Sequence, residues 1–239
     1  MSQLLLVRHG QARLFTDDYD RLSSLGVAQA RALAEHWLEW GLALDGIYCG
    51  TLTRQQSTAQ AVRDAFVENG VNWPSEATLA GLDEYPAEEL VKVLATHLRD
   101  RDQEIARHTA SYESAGDDAG RYRHFHRLLA ATLERWIHGD TQGAKLSMTW
   151  EEWSGGVIAA LRDIMSSANS GQRLAVFTSG GVIGTIVQHV LQAPPAKAAD
   201  LNWRIHNASV TGITFSGPRT SLDSFNGTRH LTARQLTYR

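Results

Sequence analysis

Leu4, Leu5, Leu6 and Val7 form an apolar run with no polar alternation. A strand written this way is buried on both faces, as in a sheet covered by helices on each side. A second such run, Leu174-Ala175-Val176-Phe177, lies far along the chain. Around these runs, strand and helix patterns alternate. Residues 25–40 put Val27, Ala30, Leu33, Ala34, Trp37 and Leu38 on one helical stripe, with Ser24 as N-cap and Gly41 as stop. Residues 45–50 read as a strand, and Thr51 is placed to cap a helix with the stripe Leu52, Gln55, Ala59, Val62 and Phe66, ending near Gly70. Residues 77–82 read as a third strand. Thr149 and Glu152 form a capping box for a helix through about residue 168. Residues 173–178 are the second apolar strand, and 181–192 a helix stopped by Pro194-Pro195. Residues 208–215 and Leu222–Asn226 supply the last strands. Strands alternating with helices predict an α/β fold, a doubly wound, mostly parallel sheet flanked by helices.

A chain of 239 residues suits one such domain, 1–239, with room for an insertion. Residues from about 86 to 148 fit the insertion: they are polar, helical and without a buried strand, with a loop at Ala115–Gly120. Packed over the strand ends, this segment acts as a lid or simply pads the fold. Hydrophobic residues make up 43% of the chain, enough for a sizeable core, and the net charge of -3 offers no basic footprint for nucleic acid or an anionic membrane. One cysteine, Cys49, excludes an internal disulfide and fits a reducing compartment. It falls in an apolar strand, where a buried structural thiol is expected. The N-terminal apolar run is broken by Arg8, unlike a signal peptide, and no stretch is long enough to span a bilayer. The expectation is a soluble cytoplasmic protein.

Sites in α/β folds sit at the carboxyl ends of strands, and Arg8-His9-Gly10 follows the first strand at once. Arginine is a forked, permanent cation for phosphate, histidine a nitrogen nucleophile, and glycine lets backbone approach a ligand. Alone, the tripeptide equally fits a polar turn. Further along stand Leu22-Ser23-Ser24-Leu25-Gly26-Val27-Ala28-Gln29-Ala30, then Ile47 to Arg54 with an arginine just past a strand, then Leu82-Asp83-Glu84. The segment Leu174 to Ile183 runs strand, Ser179-Gly180-Gly181, apolar helix, and Asn226-Gly227-Thr228-Arg229-His230-Leu231 closes the series. In this order the motifs resemble the histidine phosphatase superfamily, the phosphoglycerate-mutase-like proteins, from end to end. One departure stands out. The family has His-Gly-Gly where this chain has Ser179-Gly180-Gly181.

Phosphoryl transfer needs an in-line nucleophile, positive charge on the non-bridging oxygens and a proton for the leaving oxygen. The resemblance implies that His9 attacks to give a phosphohistidine that water hydrolyses. It implies that Arg8 and Arg54 clamp the phosphate, that Gly180 and Gly181 add N–H donors at a helix start, and that Glu84 is general acid and base. Asp83, Glu88 and Glu89 are rival carboxylates. Gln11, after Gly10, either touches substrate or caps a turn. His206 either stands in for the missing histidine or is structural. Ser179 keeps one donor and loses a charge; losing one donor to a transition state typically costs about two to three decades in rate. Ser179→His is accordingly expected to raise kcat. No cofactor is implied, and no metal site: there is no cysteine cluster, and His124 and His126 are two apart, off a common helical face. The expected ligands are a small phosphorylated molecule and inorganic phosphate. Three functions follow: a phosphomonoesterase, a phosphoglycerate-type mutase, or a phosphate-ligand-binding protein of low or no activity.

Overall fold

The computed structural model describes residues 1–13 and 20–238. Six strands form one mixed sheet: β1 (Ser2–Arg8), β2 (Gly46–Cys49), β3 (Glu76–Thr78), β4 (Arg173–Thr178), β5 (Val210–Ser216) and β6 (Arg219–Gly227). Their order is β3-β2-β4-β1-β5-β6. The four strands β3, β2, β4 and β1 pair in parallel, β5 runs antiparallel to β1, and β6 antiparallel to β5. The two uninterrupted apolar runs, β1 and β4, lie side by side at the centre of the sheet, as burial on both faces demands. Their register sets Leu4 beside Leu174 and Arg8 beside Thr178, so His9 and Ser179 leave adjacent strand ends together.

The helices are α1 (Ser24–Glu39), α2 (Thr53–Glu68), α3 (Ala87–Glu89), α4 (Thr96–Leu98), α5 (Gln103–Glu113), α6 (Asp118–Ile137), α7 (Trp150–Ser167), α8 (Gly180–Val190) and α9 (Ala196–Asn202), with a π-helical segment, Leu90–Ala95, joining α3 to α4. The described chain divides into two compact units, residues 1–84 with 157–239, and residues 85–156. In the first, Leu33 and Trp37 of α1 and Val62 and Phe66 of α2 pack on Val7, Ile47 and Phe177 of the sheet. Full burial of each such large side chain is worth about 1.5–3 kcal/mol relative to exposure. The second unit is helical and strand-free among its described residues; Ile105 and Leu128 join Ala95 and Ala131 in one small core, and Tyr85, Trp136, Trp150 and Trp153 stack in another. Among the described residues no helix is long and apolar enough to cross a membrane.

Several local expectations shift. Ser23, not Ser24, caps α1, because its side chain accepts from the Gly26 N–H. Thr51 does not cap α2; its N–H and hydroxyl are held by Asp83, and Leu52 takes the cap position. The third strand is only Glu76–Thr78, followed by a 3-10 turn over Ala80–Leu82. Leu79 and Leu82 are spaced for that turn, with the Leu82 N–H on the Leu79 carbonyl. The Ala115–Gly120 loop is cut short because Asp117 caps α6 through the Gly120 N–H. Pro194-Pro195 stops α8 but also starts α9, since proline is preset for a helix start. The Thr149–Glu152 capping box is complete in both directions.

Candidate active site

His9 sits one residue past β1, 6% exposed, its N–H on the Thr178 carbonyl of β4. Its Nδ1 lies 2.8 Å from the Gly10 carbonyl oxygen, which can only accept. Nδ1 therefore carries the proton. Nε2 is left with its lone pair, and Arg54 Nε donates to it across 3.2 Å. Burial, then the charges of Arg54 and Arg8, push the His9 pKa well below 6.5 against the opposing Gly10 hydrogen bond. The ring is a neutral imidazole with its Nε2 lone pair turned to a guanidinium.

Two cations flank it. Arg8 ends β1 and is buried; its Nη1 donates to the carbonyls of Ile205 and Tyr238, the latter at 2.7 Å, which fixes the guanidinium plane. Arg54 lies in the first turn of α2. Asp20 aims it: one carboxylate oxygen takes Arg54 Nη1 at 2.6 Å and the other takes the Thr53 N–H at 2.6 Å, serving as a cap for a helix whose own N-cap residue is leucine.

Glu84 follows the 3-10 turn, and its carboxylate accepts the Gly181 N–H at 3.1 Å. It thus stands at the N-terminus of α8, where backbone donors and the helix dipole favour an anion. At Gly180 an added Cβ would collide with Asn202 Oδ1 and come 3.5 Å from the Arg8 guanidinium, so the glycine-led turn of α8 closes against that arginine. Ser179 is fully buried, and its hydroxyl oxygen accepts from Gln55 Nε2 at 2.8 Å. Arg8, His9, Arg54, Glu84 and the Ser179-Gly180-Gly181 turn are thus linked at the ends of β1 and β4 and the starts of α2 and α8.

The family model of the histidine phosphatase superfamily (branch 1) matches residues 4–115 and 95–228. The chain belongs to the histidine phosphatase superfamily. No curated protein matches the sequence significantly. Solved structures resemble it in fold. Phosphoserine phosphatase from Entamoeba histolytica, in complex with 3-phosphoglyceric acid, superposes with a TM-score of 0.62 at 20% identity, over 97% of this chain and all 100% of its own. Phosphoglycerate mutase from Bacillus anthracis gives 0.62 at 16% identity, over 96% and 94%. A mycobacterial glucosyl-3-phosphoglycerate phosphatase gives 0.56 at 17%, over 95% and 99%.

In this member of the superfamily the rival carboxylates have other duties. Asp83 takes the Thr51 N–H and hydroxyl, Glu88 pairs with Lys92, and Glu89 takes the N–H and hydroxyl of Ser147. Gln11 turns its amide oxygen to the Ser23 hydroxyl and its N–H to Gln29, so it ties the loop to α1. His206 stacks on Tyr238 with ring centres 4.1 Å apart and shares Nδ1 with the Asn226 amide, a structural histidine. Asn226 takes the His206 N–H, and His230 bonds the Ala208 carbonyl. Gly10 exists for close approach: a Cβ there would strike the Gly26 carbonyl at the start of α1. The Gly181 N–H, expected to face phosphate, is on Glu84.

Residues missed in the sequence also converge here. Asp20 orients Arg54, Asn207 Nδ2 donates to the His9 carbonyl, and Thr58 Oγ1 takes the Gly10 N–H. Thr237 bonds Asn207 and Gln29, whose Nε2 also donates to the Gln235 carbonyl, so residues 235–238 are stitched to the Arg8-His9 turn. Among the described residues no group of three or more His, Cys, Asp or Glu is placed to hold a metal ion.

Proposed function

We propose that the chain is a phosphomonoesterase that hydrolyses a small phosphorylated metabolite through a phosphohistidine at His9. The observation that carries this reading is the neutral His9, with Nδ1–H on Gly10 and the Nε2 lone pair beside Arg54. Nε2 attacks phosphorus; the bond from phosphorus to the substrate alcohol breaks; Glu84, protonated at that moment, gives its proton to the leaving oxygen. Water then attacks the phosphohistidine, Glu84 takes the water's proton, and the N–P bond breaks to release inorganic phosphate. Arg8 and Arg54 stabilise the charge on the phosphoryl oxygens. Arg8, half-circled by carbonyls, serves chiefly as a fixed cation; Arg54 adjoins the nucleophile directly. The lone, buried Cys49 fits work in a reducing compartment such as the cytoplasm.

Rapid quench with a turned-over substrate tests the mechanism. An acid-labile, base-stable phosphate is expected on the protein and lost in His9→Ala. Label on Ser179, or undiminished turnover without His9, overturns it. A panel of phosphomonoesters including phosphoserine and 3-phosphoglycerate, both seen bound to the Entamoeba relative, would identify the substrate. Retention of phosphate within a bisphosphate, rather than its release, would identify a mutase.

A further inference from the structure

Gln55 is a glutamine on the buried face of α2, with no exposed surface at all. Its carboxamide joins three stretches of chain. Nε2 donates to the Leu82 carbonyl at 2.9 Å and to the Ser179 hydroxyl at 2.8 Å, which uses both its protons. Oε1 accepts the Leu52 N–H at 3.2 Å. The Leu82 carbonyl receives a second donor, the Thr178 hydroxyl, at 2.6 Å. Each stretch adjoins a site residue: Leu52 leads to Arg54, Leu82 to Glu84, and Ser179 to Gly180-Gly181.

Two small residues make this possible. A Cβ on Gly50 would collide with Gln55 Oε1. Ser179 is fully buried, so an imidazole at that position must displace a neighbour, and the neighbour on its hydroxyl is Gln55. We propose that the Gln55 carboxamide is the positioning group of this pocket: it fills the room beside Ser179 that a larger side chain would need, and it sets the relative placement of Arg54, Glu84 and the α8 turn. The proposal rests on the phosphatase reading for its kinetic consequence and on packing alone for its structural one. It reverses the expectation for Ser179→His, because histidine at 179 and glutamine at 55 exclude each other.

The test is a double-mutant cycle of Gln55→Ala, Ser179→His and the combination, read in thermal unfolding and in p-nitrophenyl phosphate kinetics. Ser179→His alone is expected to lower Tm and kcat. Gln55→Ala, which leaves buried partners unmatched, is expected to lower kcat about tenfold with KM changed less than about threefold. The combination is expected to have a higher Tm than Ser179→His and to recover kcat at least about tenfold over it, the coupling expected of side chains in contact. Additive effects in either measurement, or Ser179→His tolerated with Gln55 in place, would overturn the proposal. If the wild type turns over no phosphomonoester, the phosphatase reading fails, and the cycle is then read in Tm and in affinity for inorganic vanadate. Non-additivity in both supports the positioning role; additivity in either overturns it.

Discussion

At the scale of the residue, His9 is a base kept neutral by its surroundings. Burial and two guanidinium groups hold its pKa well below 6.5. Protonation would abolish the Nε2 lone pair, so kcat/KM should stay level as pH falls through 6.5 and drop only further into acid. A pH–rate profile measures this; an acid limb centred at or above 6.5 would refute it. Glu84 makes a different prediction. Glu84→Gln should depress alkyl phosphate hydrolysis about a hundredfold while sparing p-nitrophenyl phosphate, whose leaving group hardly needs a proton. Cys49 is the opposite case to His9: burial, with Glu76 and Asp83 nearby, raises its thiol to about 12. The native protein should therefore resist iodoacetamide near neutral pH and react once unfolded.

At the scale of the element, the starts of α1 and α2 each lean on a group outside their own helix. The α1 start is pressed against the Arg8-His9-Gly10-Gln11 turn so tightly that a Cβ on Gly26 would overlap the Gln11 carbonyl. Gly26→Ala should cost about 1–3 kcal/mol by overpacking, read as a lower urea midpoint, and should slow turnover by shifting His9. The α2 start takes its cap from Asp20, more than a helix length away in sequence. This explains what was legible. Apolar runs declared β1 and β4, since burial on both faces is a property of the strand itself, and Arg8, His9, Arg54 and Glu84 stood in recognisable local motifs. Asp20 and Asn207 were illegible because their roles are set by tertiary approach. Gln55 carried a signal that was easy to pass over: a polar side chain on an otherwise apolar helical stripe needs buried partners.

At the scale of the whole molecule, acid acts on more than the candidate site. His230 bonds the Ala208 carbonyl in a buried setting, and its pKa falls from 6.5 to about 4. The unfolded chain takes up this proton first as pH drops, so stability contributed by the neutral ring is complete above 6.5 and is lost progressively down to about 4. At about 1.4 kcal/mol per pKa unit, His230 alone accounts for roughly 2 kcal/mol of destabilisation between pH 6.5 and pH 5. His230→Gln, which keeps a donor for Ala208, should flatten the pH dependence of the urea midpoint by that amount; an unchanged slope would place the sensitivity elsewhere.

The stitching of residues 235–238 to the Arg8-His9 turn has a consequence in time. Arg8 is made before Tyr238, and the Tyr238 carbonyl that helps fix its guanidinium comes 230 positions later. Gln29 waits 206 positions for the Gln235 carbonyl and 208 for the Thr237 hydroxyl. During synthesis, at about 5–20 residues per second, a nascent chain carries His9 through the 230 residues of elongation between Arg8 and Tyr238 without the contacts that hold its neighbour in place. The pocket is completed late, and a nascent chain stalled before residue 235 should lack these contacts even if its sheet has already begun to assemble.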